Sequence, residues 1–273
     1  MTNRVGVVQM VSSATVEDNL DIVKRFFDDA RELGVELVVL PENFAFMGQN
    51  EVDKKQIAEE YGSGPIQDAI SKIARQHEVW VIAGTIALKG QGSRIRASSI
   101  VYDDKGKTVD RYDKIHLFDV RVSPTESHQE SLAIEPGTTP VVVDTPIGRV
   151  GLSVCYDLRF PELYQLYLNK GAQILSIPSA FTAVTGEAHW ETLLKARAIE
   201  NLSFVLAPNQ GGLHESGRKT FGHSMIIEPW GQVLSTIQEG SGMIVSDIDL
   251  DKQAELRKQF PCHEHHVLNK LAP

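Results

Sequence analysis

Short apolar runs alternate with amphipathic stretches along the first third of the chain. The opening residues through Val11 read as a strand, and Leu20, Val23, Phe27 and Ala30 then recur at helical spacing. Thr15 is placed to cap that helix and Gly34 to stop it. The run 37–40 is apolar throughout, as a fully buried strand is, and it closes on Pro41-Glu42. Behind the loop residues Tyr61-Gly-Ser-Gly-Pro65 the pattern repeats, with a helix over 66–77 and a strand over 79–87. Strands are then predicted over 98–102, 140–144 and 149–155 with little helix between them. The stretch 114–137, rich in Ser, Pro, Glu and His, has no period and is expected to be a functional loop. A helix starting at Pro161 and running to 169 comes next, then a strand over 173–177 and a helix over 189–201. Strands over 204–207, 224–227 and 243–248 and a helix over 252–259 complete the chain. Helices alternating with strands, plus strands in succession, predict an α/β protein with mixed sheets covered by helices. No internal repeat, low-complexity tract or linker divides the sequence, so 1–273 is expected to form one domain.

Composition narrows the partners more than the fold. The formal net charge of −9, with no run of Lys or Arg, argues against nucleic acid or an anionic membrane surface as a partner. No apolar stretch approaches the roughly 18 residues of a membrane span, and the N-terminus lacks the apolar region of a signal peptide. The two cysteines, 155 and 262, make no disulfide framework, which fits a cytoplasmic protein with free thiols.

Two reactive side chains directly follow predicted buried strands, where α/β proteins place ligands. Glu42 follows 37–40 and Cys155 ends 149–155. Taken singly, Glu42 could be a loop carboxylate and Cys155 a small core residue. The segment Gly151-Leu-Ser-Val-Cys155-Tyr-Asp-Leu-Arg-Phe-Pro-Glu162 alters that balance. It passes from strand to helix, and so sets the thiol on a sharp turn where backbone N–H groups favour negative charge. Its outline is that of the Gly-x-Ser-x-Gly elbow, but Cys155 replaces the last Gly, so Ser153 is not the nucleophile.

Leu40-Pro41-Glu42, Asp113-Lys114-Ile115-His116-Leu117 and Cys155-Tyr156-Asp157-Leu158-Arg159-Phe160-Pro161-Glu162 resemble, in order, the three catalytic blocks of the nitrilase superfamily of carbon–nitrogen hydrolases. The likeness continues through Pro178-Ser179-Ala180-Phe181-Thr182, Thr185-Gly-Glu-Ala-His-Trp190 and Pro229-Trp230-Gly231. The resemblance implies a four-layer α-β-β-α sandwich of mixed sheets and a hydrolase acting on a non-peptide carbon–nitrogen bond. It casts Cys155 as nucleophile, Glu42 as general base, and Lys114 as the ammonium beside them. Glu130 would be a second glutamate orienting Lys114 or positioning the substrate nitrogen, although it also reads as a solvated loop acid. Tyr156, Arg159, Phe160 and Ser179 are the substrate-binding residues it implies, with Arg159 suited to a substrate carboxylate or to an ion pair with Glu162. No metal or organic cofactor is called for, the partner is a small-molecule amide, and homodimers or larger homo-oligomers are common. The blocks look most like the branch holding deaminated-glutathione amidase, whose neighbour is the ω-amidase acting on α-ketoglutaramate. That ω-amidase, a nitrilase or carbamoylase of the same superfamily, or a silent interaction protein on the same fold are the rivals.

Other signals carry less. Cys262-His-Glu-His-His266 fits no zinc spacing and suits a solvated tail or a subunit boundary. Gly212-Leu-His-Glu-Ser-Gly-Arg-Lys-Thr220 misses the phosphate-loop order because of Arg218, and is expected only to border the pocket. His116 and His189 invite a Cys–His pairing but, with Glu and Lys assigned, read as structural or substrate-shaping.

Overall fold

The computed structural model describes residues 2–122, 124, 126–265 and 267. The first half of the chain builds one sheet and its covering helices. Its elements are β1 (Thr2–Gln9), α1 (Val16–Glu32), β2 (Leu37–Val39), α2 (Pro65–His77), β3 (Trp80–Lys89), β4 (Ile95–Tyr102) and β5 (Thr108–Asp113). A small hairpin of β6 (Asp119–Arg121) and β7 (Ser127–Gln129) follows. The second half comprises β8 (Val142–Thr145), β9 (Gly148–Leu152), α3 (Pro161–Asn169), β10 (Ile174–Ser176), α4 (Ala183–Asn201), β11 (Phe204–Ala207), β12 (Ser224–Ile227), β13 (Val233–Ile237), β14 (Gly242–Asp249) and α5 (Leu250–Gln259).

Two six-stranded mixed sheets result, ordered β14-β1-β2-β3-β4-β5 and β13-β12-β11-β10-β9-β8. Each has three parallel strands, β1-β2-β3 or β9-β10-β11, flanked by antiparallel ones. The parallel strands are apolar on both faces because both faces are covered. Val5, Val7, Leu37 and Val39 pack toward the second sheet, whereas Val8, Val38 and Leu40 pack with Phe27 of α1 and Ile70 of α2. On the far side of the second sheet, Tyr164 of α3 and Trp190 and Leu194 of α4 join the core that runs between the sheets. The layers are therefore helix, sheet, sheet, helix, as expected from the resemblance.

Several predicted bounds shift for identifiable reasons. Thr15 holds the N-cap position of α1, but its side chain makes no capping bond. Asn19 instead bonds Ser13 through both its amide oxygen and nitrogen. Helix α4 begins at Ala183, six residues ahead of the predicted 189, with the Thr182 hydroxyl accepting from Thr185 N–H. Gly186 in its first turn is needed because a Cβ at 186 would overlap Phe221. The strand predicted over 149–155 stops at Leu152, so Cys155 lies beyond it. Strands β5 and β13 were not anticipated, and the region 114–137 contains the β6–β7 hairpin. Although the sequence shows no repeat, the topology does: each half runs strand–helix–strand–helix–strand, then two antiparallel strands.

Candidate active site

The carboxyl ends of the parallel strands in both sheets converge, and Glu42, Lys114 and Cys155 meet there. Glu42 follows β2, where the chain must pass close to β3. Gly84 permits this, since a Cβ at 84 would overlap the Pro41 carbonyl oxygen. Asn43 adopts the left-handed conformation (φ 60°) and donates its N–H to Thr85 Oγ1 at 2.8 Å. Gln210, past the end of β11 in the other sheet, donates Nε2 to the Glu42 carbonyl at 2.9 Å. The backbone of Glu42 is thus held from both sheets.

Lys114 directly follows β5, and its buried Nζ lies 2.8 Å from Glu42 Oε1 and 2.8 Å from Glu130 Oε1. Glu130 opens a short 3-10 turn after β7, and its second oxygen accepts from Phe118 N–H at 2.7 Å. It is 5% exposed, which rules out the solvated-acid reading. Cys155 stands with φ 50° at the head of a 3-10 turn, Cys155–Arg159, that separates it from α3. It is therefore not at the N-terminus of a long helix. Its thiol shares the chamber wall with Glu42 and Ala180, and it feels the Glu42 carboxylate and the Ala180 N–H.

The cluster's charges are set by burial and by one another. Burial favours a proton on Glu42, but Lys114 and Lys54 outweigh it and hold this carboxyl below its usual range. Burial also raises Glu130, and repulsion from Glu42 and Glu51 leaves it above the usual range despite Lys114. Lys114, although buried, is pushed well above its ordinary value by Glu130 and Glu42. Burial and the Glu42 charge push the Cys155 thiol up, more strongly than Lys114 and the Ala180 N–H pull it down. The resting pair is thus thiol and carboxylate, not the thiolate that the turn alone suggested.

Asp157, which the sequence did not single out, fixes this turn. Fully buried, it accepts from Tyr112 Oη (2.7 Å), Val154 N–H (2.8 Å) and His116 N–H (3.0 Å), and meets His116 Nδ1 at 2.7 Å. It thereby ties the turn that carries Cys155 to the strand that presents Lys114. From α4, Arg197 donates Nε and an Nη to the Leu158 carbonyl at 3.0 and 2.8 Å.

Tyr156 and Arg159 line the chamber above Cys155. The Arg159 guanidinium lies over the Tyr156 and Phe181 rings and has no carboxylate in ion-pair range among the described residues. Phe160 and Ser179 stand behind the wall: Phe160 stacks on His116 at 3.6 Å, and Ser179 Oγ donates to Ile177 O. His189 meets Arg159 at 3.3 Å. The loop 212–220 does border the chamber through Arg218. Glu51 and Lys54 were not foreseen; they come from a 3-10 turn, Glu51–Ile57, whose sequence carries no sign of burial. Glu51 joins Lys54 Nζ (2.6 Å) and Arg218 Nη1 (3.4 Å), and these cations overcome burial to draw its pKa to about 2. Arg218 Nη2 donates to the carbonyl of Ala180, whose N–H faces Cys155. Among the described residues no group of His, Cys, Asp and Glu could hold a metal ion, and His266 of the C-terminal cluster lies outside them.

A buried thiol with a carboxylate base and an ammonium can attack an acyl carbon. Comparison with known proteins agrees. The carbon–nitrogen hydrolase family profile matches residues 4–258. The chain is 38% identical over 273 residues to the deaminated glutathione amidase of Yersinia enterocolitica, covering 98% of this chain and 95% of that protein. The crystal structure of the Caenorhabditis elegans NitFhit protein superposes with a TM-score of 0.91 at 38% identity, over 100% of this chain and 66% of that one. The structure of Saccharomyces cerevisiae Nit3, a member of branch 10 of the nitrilase superfamily, gives 0.86 at 29% identity, over 95% of this chain and 94% of that one.

Proposed function

The chain belongs to the carbon–nitrogen hydrolase family, and we propose that it hydrolyses the amide of deaminated glutathione through a thioester on Cys155. The observation that carries this reading is the buried cluster in which Lys114 Nζ sits 2.8 Å from both Glu42 and Glu130, with Cys155 on the same chamber wall. The name and full-length similarity of the Yersinia relative support the substrate.

Glu42 takes the thiol proton as Cys155 Sγ bonds to the amide carbon. The developing oxyanion is met by Lys114 Nζ and the Tyr156 N–H, which as a first-turn donor has no partner within its turn. The carbon–nitrogen bond breaks as Glu42 returns its proton to the nitrogen, releasing cysteinylglycine. Water, deprotonated by Glu42, then cleaves the thioester to 2-oxoglutarate and restores the thiol. Glu130 holds Lys114 in place, and Arg159, with no carboxylate in ion-pair range among the described residues, receives the keto-acid end.

Two copies pairing over the exposed patch of Ile199, Trp230 and Phe260 extend the proposal, as does action of 1–273 as one domain in the cytoplasm. Trp230 and Phe260 contact edge-on at 5.4 Å, beside the stretch where the chain continues toward its C-terminus.

Purified enzyme should release cysteinylglycine from deaminated glutathione faster than ammonia from a simple nitrile or a carbamoyl amine. Cys155→Ala should lower kcat by about three orders of magnitude or more. Equal activity in wild type and Cys155→Ala would sink the mechanism.

A further inference from the structure

The chamber over Cys155 is narrow, with space of about 20 Å³, and opens beside a second cavity of about 660 Å³. Glu51, Lys54, His128 and Arg218 line both. Tyr156, Arg159 and Phe181 line only the inner chamber. An amide carbon bonded to Cys155 has two substituents, and they must leave it in different directions. If the acyl chain runs toward Arg159, the nitrogen and all it carries run toward the shared wall. Lys54 of that wall lines the inner chamber together with Glu42, the group that must protonate the departing nitrogen.

The outer cavity's size falls within the roughly 300–1,000 Å³ of small-molecule sites. Its charges also point to a class of ligand. Lys54, Arg218 and Lys219 face it from the cationic side, Glu51 and Glu126 from the anionic side. Both acids are engaged: Glu51 by Lys54 and Arg218, Glu126 by His128 Nε2 at 3.0 Å. Lys219 is exposed and, among the described residues, has no carboxylate within ion-pair range. The free charge on this wall is positive.

We propose that the outer cavity binds the amine half of the substrate, a dipeptide-sized amine bearing a carboxylate, with Lys219 as the specificity-determining residue for that carboxylate. The proposal rests on the hydrolytic reading above. It makes this chain selective for an N-substituted amide over the primary amide of the same acid, because a primary amide leaves the outer cavity unused.

The test compares deaminated glutathione with α-ketoglutaramate, which shares the acyl half and releases only ammonia. Lys219→Glu should lower the ratio of kcat/KM values, deaminated glutathione over α-ketoglutaramate, by about tenfold, mostly through KM. Deaminated glutathione with its glycine carboxylate amidated should show little of this effect. An equal change on both substrates, or none, overturns the proposal. Should wild type turn over neither substrate, the hydrolytic reading fails, and calorimetric binding of cysteinylglycine decides the subsite separately. Binding weakened about tenfold by Lys219→Glu supports it, whereas absent or unaffected binding overturns it.

Discussion

Glu42 and Glu130 share one ammonium but are displaced in opposite directions from the usual carboxylate range, and this sets the pH behaviour. Glu42, held below its usual range by Lys114 and Lys54, stays a working base until the solution is more acidic than an ordinary carboxylate requires. Lys114 and the Cys155 thiol are both pushed up, so neither ends activity on the alkaline side near neutrality. Hydrolysis should therefore be flat in kcat/KM between about pH 6 and about pH 9 and fall only in acid. A rise through that range following a thiol titration would contradict the thiol–carboxylate resting pair. Stability follows a different course. The depressed Glu42 contributes stability above its unfolded pKa that is lost as pH falls through its folded one. Glu130, raised, contributes below its unfolded pKa and loses that as pH rises. The two oppose each other, so acid should cost activity before it costs fold. The identities of these residues could be read from their blocks in the sequence. Their protonation could not, because it depends on a burial that only the assembled sheets create.

At the scale of elements, the residues that misled the prediction are those answering to partners far along the chain. Strand β5 is mostly polar, with only Tyr112 fully buried, because it is a sheet edge; yet it delivers Lys114. Strand β13 is likewise an edge, with no residue fully buried and an apolar-apolar-polar-polar-apolar order that does not alternate. Helix α4 starts ahead of its predicted bound, and the missing side chain of Gly186 in its first turn makes room for Phe221. Gly186→Ala, favourable by helix propensity, should instead destabilise the protein by about 1–3 kcal/mol through overpacking. Thermal melting checks this, and a raised melting temperature would show that Phe221 yields freely. Since Arg197 reaches the Leu158 carbonyl from the same helix, a shifted α4 would also disturb the turn that carries Cys155. The buried strands and α1, α2 and α3, by contrast, were legible, because both faces or one full stripe of each is apolar.

For the molecule as a whole, the site is a property of two sheets and belongs to neither half. Glu42 and Lys114 come from one, Cys155 from the other, and Asp157 and Gln210 bridge them. One core cluster contains Val39 and Tyr112 of the first sheet with Leu152 and Leu206 of the second. Unfolding should accordingly be one transition, with tryptophan fluorescence and far-ultraviolet dichroism coincident. Trp230→Asp should halve the mass seen in sedimentation while leaving that single transition in place; an unchanged mass removes this patch as the pairing surface. The layered architecture could be anticipated from alternating elements and motif order, whereas the repeated topology of the halves could not, since matching paths need no matching residues. Cys155 carries a last consequence. Its left-handed backbone costs an L-residue about 1 kcal/mol that glycine escapes. Only catalysis argues for a thiol at this position, and the backbone argues for glycine. A duplicated copy freed from selection for turnover would be expected to drift to glycine here early, silenced by the substitution that relaxes its backbone.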